Sequence, residues 1–248
     1  MTMVVECVGG AGVGKSHVAR ALVAELRARR IPACLAMAPV GPSTPKARRV
    51  ARKLALALGE AVRSPGPSRR MASAVAMSGQ QRGRDALAIT LNWLTIRALV
   101  RRCRRVQGFH VFDQAALMSL WSTGLRGDAS AGRALLERPE WCWVLPDAVL
   151  RVEASHEQTV VQLRGRGERQ SRLEALADGE LLAELERAAA DAASLVGWWG
   201  DARADGHAPA VVPVCNSGDE RLAQAIPELA SQLLALDTNR IKEGQVAP

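Results

Sequence analysis

At 248 residues, 48% of them hydrophobic and 23% charged, the chain has the composition of an ordinary globular protein and the length for one complete α/β core. Its five cysteines (Cys7, Cys34, Cys103, Cys142, Cys215) are scattered without a C-x-x-C pair, which argues against a zinc site and a disulfide framework. The net charge of +8 is uneven: residues 46–105 set 15 Lys and Arg against Glu60 and Asp85, a local +13, while residues 106–248 carry −8.

A basic half can track nucleic-acid phosphates, or it can funnel an anionic nucleotide or substrate. Trp93 is the one aromatic in that segment able to stack on a base, so nucleic acid is the weaker expectation. No apolar run is long enough to span a bilayer, and no signal-peptide pattern precedes the first strand. The expected location is the cytoplasm.

In chain order, residues 3–8 (MVVECV) are short and β-favouring and read as a buried strand. Gly9-Gly10-Ala11-Gly12-Val13-Gly14-Lys15-Ser16 follows and fits G-x-x-x-x-G-K-[ST] at every fixed position. Val18, Leu22 and Leu26 then recur at helical spacing. A glycine-rich turn can precede a lysine by accident, but here both flanks are those of a phosphate-binding loop. Its glycines let backbone N–H groups wrap a β-phosphate at a helix N-terminus. Lys15 would bridge β- and γ-oxygens, and the Ser16 hydroxyl would sit on Mg²⁺.

Ile31 and Pro32 break the helix, and residues 33–38 read as a second strand. Residues 39–45, with Pro39, Pro42 and Pro45, read as a loop that excludes helix. Residues 46–63 form a basic helix with Val50, Leu54, Ala57 and Leu58 on one side, ended by a flexible turn at residues 64–68. Residues 85–105 give the strongest helical pattern. One stripe holds Leu87, Leu91, Leu94 and Ala98, a second Ile89, Trp93, Ile96, Val100 and Cys103, so the helix is buried on more than one side. The arginines at 101, 102, 104 and 105 suit the helix C-terminus electrostatically, or else serve a substrate.

Residues 108–112 rise as a strand that stops at Asp113, the shape of a Walker B element. His110 inside it is expected in the core. Residues 147–153 form a further strand, and Ser155 with Gln158 offers a capping box for the next helix. That helix leads into Arg164, Arg166, Arg169 and Arg172, interleaved with glycines and polar residues. Such a run is either a solvated helix end or a lid whose guanidinium groups close on a triphosphate. Residues 178–196 are amphipathic through Leu181, Leu185, Ala188, Ala192 and Leu195, and Trp198 and Trp199 cover a core edge. Residues 210–214 are the last strand. The final helix carries Leu222, Ile226, Leu229, Leu233 and Leu236, with a kink at Pro227 and a loose tail over residues 237–248.

Five strands alternating with helices predict a mostly parallel five-stranded sheet with helices on both faces. With GGAGVGKS on the first strand, LRGRGERQSRLE after the fourth and VPVCNSGDE near the end, the chain resembles the nucleoside and nucleoside-monophosphate kinases, thymidylate kinase most closely. That resemblance implies a three-layer P-loop NTPase domain over residues 1–236 with an arginine lid at about 164–172. It implies ATP and Mg²⁺ as cofactors, with Ser16 and Asp113 on the metal. Gly9, Gly10, Ala11, Gly12, Val13, Gly14, Lys15, Ser16, His17 and Arg164 would hold the nucleotide, and Asn216 would lie beside its base.

Lys15, Asp113, Arg166 and Arg169 would act in catalysis. The substrate side departs from the family. Residues 37–41 (MAPVG) lack the carboxylate that precedes the family's proline-glycine loop, and Asp113-Gln114 stands where an Asp-Arg pair is usual. Asp113 is left as base or Mg²⁺ organiser. The function expected is phosphoryl transfer from ATP to a small acceptor, a nucleoside or nucleotide first. The alternative is an NTPase that couples hydrolysis to a protein or nucleic-acid partner. A homodimer is compatible with the sequence, and no membrane partner is expected.

Overall fold

The computed structural model describes residues 2–41, 44–80, 82–124, 127–165, 178–202 and 210–244. Five strands build one all-parallel sheet: β1 (Thr2–Val8), β2 (Ala33–Leu35), β3 (Gly108–Phe112), β4 (Ala148–Glu153) and β5 (Ala210–Cys215). Their order across the sheet is β2-β3-β1-β4-β5. The central strand β1 pairs with β3 in the register Thr2↔Gly108 to Glu6↔Phe112, and with β4 from Val5↔Ala148 to Val8↔Arg151.

Strand alternation decides the two cores. Met3, Val5 and Cys7 face one side, where α1 (Lys15–Ala28) and α10 (Asp219–Gly244) cover the sheet with Val18, Leu22, Leu26, Leu222, Ile226 and Leu229. Val4 and Val8 face the other side and meet α3 (Pro65–Met77), α4 (Gly83–Cys103), α5 (Ala116–Gly124), α6 (Ser130–Leu136), α7 (Pro139–Cys142) and α9 (Asp178–Ala202). Helices on both faces make the three-layer α/β architecture that the strand and helix pattern predicts. Among the described residues no helix is long and apolar enough to cross a membrane.

Several local readings change. Residues 38–40 form a 3₁₀ turn with Pro39 near its start, because a proline ring sets φ for a first helical turn even where it forbids a longer helix. The second strand is correspondingly short. α2 (Lys46–Arg63) has the expected bounds, but Ser64 alone separates it from α3. The flexible turn expected at residues 64–68 is instead a helix start, with Pro65 in the first turn where its missing N–H costs nothing. α10 continues through Gly244, so the tail expected from residue 237 is helical to that point. Among the described residues, the short helices α5, α6 and α7 follow β3 in a stretch without a strong sequence pattern.

Two buried ion clusters tie the second layer together. Glu60 on α2 is buried and accepts from Arg97 at 2.7 Å and from Arg101 at 2.6 Å, both on α4. Burial would raise its carboxyl, and the two guanidinium groups outweigh that and hold it below the ordinary range. Arg97 also lies 4.3 Å over the Trp141 ring, and Arg101 lies 4.7 Å over Trp143. Asp147, just before β4, accepts from the Val4 N–H at 2.8 Å and from Arg104. Arg101 and Arg104 therefore serve the fold. His110 is buried as expected, with Nδ1 3.1 Å from Cys34 Sγ and Nε2 2.8 Å from the Val106 carbonyl.

Candidate active site

The loop between β1 and α1 lies at the carboxyl ends of the parallel strands, the usual position for ligands in open α/β sheets. Gly14 is the N-cap of α1, with φ near 90°, and a Cβ there would collide with the Asn216 side chain. Gly12 has φ near 86°, and a Cβ there would press on Leu163 and Thr159 of α8 (His156–Arg164). The loop is therefore enclosed from two sides, by the end of β5 and by α8. Side chains on α9 close a third side. Ala11 packs with Leu163, Leu181 and Leu185 in a small separate cluster, and Ala188 stands 3.7 Å from a Cβ at Gly10.

Within this enclosure the loop turns around a cation. Lys15 is buried and its Nζ donates to the Gly9 carbonyl at 2.8 Å and to the Gly10 carbonyl at 2.6 Å. The first turn of α1 holds no acidic residue, so the partial positive charge of the helix N-terminus is not offset there. An ammonium, the loop's backbone N–H groups and a helix N-terminus together suit a polyphosphate.

Ser16 and Asp113 meet across the β1–β3 boundary. Ser16 Oγ donates to Asp113 Oδ2 at 2.7 Å. Their approach follows from the pairing of β1 with β3, whose last paired residues are Glu6 and Phe112. A hydroxyl and a carboxylate at this separation are hard oxygen donors that fit Mg²⁺, which takes one or two protein oxygens and completes its shell with water and phosphate. Among the described residues no group of three or more His, Cys, Asp or Glu side chains is placed to hold a metal ion.

The other expected ligands are less concentrated on one point. Asn216 is buried and its Nδ2 donates to the Val13 carbonyl at 2.9 Å, so its amide braces the phosphate loop from β5. His17 is exposed, its Nε2 3.8 Å from Asp219 at the start of α10. Arg164 is exposed at the end of α8. Ser155 caps that helix, its Oγ accepting from the Gln158 N–H at 3.2 Å. Arg166, Arg169 and Arg172 lie outside the described residues.

A residue the sequence reading passed over stands directly behind this site. Glu6 points to the α5 side of β1 and is fully buried. Its carboxylate accepts from the N–H groups of Ala115 at 2.8 Å, Leu117 at 3.1 Å and Met118 at 2.9 Å. It thereby fastens the start of α5, and with it the turn that carries Asp113. Burial pushes its carboxyl up from 4.5 to about 7, against the opposing pull of those N–H groups. The available signal was one acid inside an otherwise apolar strand.

No family model matches the chain, and no curated protein matches it. Among solved structures, a deoxyadenosine kinase from M. mycoides with bound dATP matches with a TM-score of 0.49 and 11% identity, over 94% of this chain and all of that one.

Proposed function

We propose that the chain is an ATP- and Mg²⁺-dependent phosphotransferase whose acceptor is a small molecule, a nucleoside or nucleotide first. The observation that carries this reading is the Ser16–Asp113 contact at 2.7 Å beside Lys15 in its glycine loop. It puts a hydroxyl and a carboxylate on the same loop end as a buried ammonium, groups that would organise a metal and bind phosphate as transfer of a γ-phosphoryl group requires.

In this reading Lys15 and the loop N–H groups hold the phosphates. Ser16 and Asp113 would hold Mg²⁺, which would supply positive charge against the phosphoryl oxygens. Asp113 also orients the acceptor hydroxyl or takes its proton. Arg164, at the end of α8, would hold the nucleotide, and Arg166 and Arg169, which lie outside the described residues, are assigned to the transferring phosphoryl group because guanidinium groups pair with phosphoryl oxygens. Alanine at Arg166 or Arg169 should then lower turnover roughly tenfold or more, with a smaller effect on ATP affinity.

The deciding experiment incubates the protein with γ-labelled ATP, Mg²⁺ and pooled nucleosides, nucleotides and sugars. Label transferred to an acceptor, with little phosphate release when acceptors are left out, is the expected result. Brisk phosphate release that no acceptor captures would overturn it in favour of an NTPase coupled to a partner.

A further inference from the structure

α2 leaves an apolar stripe exposed in addition to the Leu56 and Ala57 side chains it packs inward. Val50, Leu54, Leu58 and Val62 recur every fourth residue and are 49%, 40%, 62% and 83% exposed. Ala57 and Glu60 are the buried residues of this helix. Its inward side is mixed, with Ala57 buried, Leu56 packed on the core and a polar junction with α4. There Glu60 meets Arg97 and Arg101, and the Lys53 carbonyl accepts from Thr95. The apolar stripe points away from the protein along about 18 Å of helix. An amphipathic helix normally buries that stripe.

The charges around the stripe have one sign. α2 carries Lys46, Arg48, Arg49, Arg52, Lys53 and Arg63, and its single acid, Glu60, is consumed by α4. At 100° per residue Lys46 and Lys53 border the stripe on one side, with Arg48, Arg52 and Arg63 beyond its other edge. Beside the helix lies an open recess of about 600 Å³ lined by Ala38, Pro39, Arg52, Ala55, Leu56 and Arg102, which adds a further guanidinium.

We propose that α2 docks the protein on an anionic lipid surface, with Val50, Leu54, Leu58 and Val62 entering the interface and the flanking cations meeting headgroup phosphates. An aliphatic stripe on a convex helix, bordered by Lys and Arg and with low total hydropathy, is the pattern of a helix that lies in a membrane interface. Charge chooses between occupants. A second copy would bring an equally basic helix against this one, whereas an anionic bilayer supplies the opposite charge along its whole length. The stripe holds no aromatic anchor of the kind that concentrates energy in a protein–protein interface. The inference is independent of the phosphotransferase reading.

The test is flotation of the intact protein with vesicles of phosphatidylcholine alone and of phosphatidylcholine mixed with phosphatidylglycerol. Binding is expected to the mixed vesicles, to fall steeply with added salt, and to be slight with phosphatidylcholine. Leu54→Glu combined with Leu58→Glu should reduce binding at least tenfold with an unchanged melting temperature, since both side chains are solvent-exposed. Arg48→Ala with Arg63→Ala should weaken binding and flatten its salt dependence. Equal flotation of parent and Leu54/Leu58 variant would overturn the proposal. So would failure of the parent to bind the mixed vesicles. A parent dimer that the same double variant dissolves would assign the stripe to a second copy instead, and capture by an acidic protein without vesicle binding would assign it to that partner.

Discussion

Lys15 is a buried cation that donates to the Gly9 and Gly10 carbonyls of its own loop, local contacts rather than links between distant elements. Lys15→Ala should therefore abolish turnover while far-ultraviolet circular dichroism and the melting point change little; near-normal activity would end the phosphotransferase reading. Asp113→Asn preserves shape and removes charge, so it should cut turnover far more than ATP affinity. Full recovery in excess Mg²⁺ would show that Asp113 only recruits the metal. Glu6 gives a pH signature. Its folded value of about 7 lies above its ordinary 4.5, so the folded state holds the proton more tightly. Stability from this group is thus fullest below about 4.5, falls as pH rises toward 7, and is lower by roughly 3 kcal/mol above that window. Urea unfolding of Glu6→Gln across the same window should show a flatter profile than the parent. Identical slopes would remove Glu6 as the source.

Secondary elements show what a linear pattern conveys and where it stops. The loop between β1 and α1, and β3 ending at Asp113, were legible because their signals are local: glycine spacing, a lysine, an apolar run and an acid. The orientation of α2 was not. Periodicity tells which residues share a face, but Glu60 turns inward because Arg97 and Arg101, from 37 and 41 residues away, supply its counter-charge. Glu6 was missed for the same reason, since its donors sit more than a hundred residues on. The reading of residues 64–68 failed differently, because a Pro-Gly-Pro run marks a helix start as readily as a break. The α2–α4 junction can be tested through its carboxylate. Glu60→Gln leaves the buried Arg97 guanidinium without its carboxylate counter-charge and should cost roughly 3–5 kcal/mol in urea unfolding. Arg101→Gln, at a more exposed position, should cost clearly less. Equal losses would mean that the cluster contributes through packing rather than charge.

At the scale of the molecule, the basic segment and the candidate site are separate features of one fold. The cations of α2 and of the end of α4 are divided between structural pairs, such as Arg97 and Arg101 on Glu60, and a solvent-facing flank around an apolar stripe. Under the small-acceptor reading, single- or double-stranded DNA should bind weakly and leave ATP turnover unchanged at physiological salt. Stimulated hydrolysis would favour the partner-coupled alternative.

The middle position of β1 in the sheet also has a consequence for biosynthesis. This strand leaves the ribosome before either neighbour, and those neighbours begin at Gly108 and Ala148. At roughly 5–20 residues per second, β1 stays unpaired for on the order of ten seconds while the intervening helices are made. Parallel pairing across such separations is slow in its own right. Through that interval a run of apolar side chains, ending in the phosphate loop, is available to chaperones and to other nascent chains. The tempo of translation, more than the intrinsic speed of collapse, sets the moment at which the loop between β1 and α1 first takes its shape.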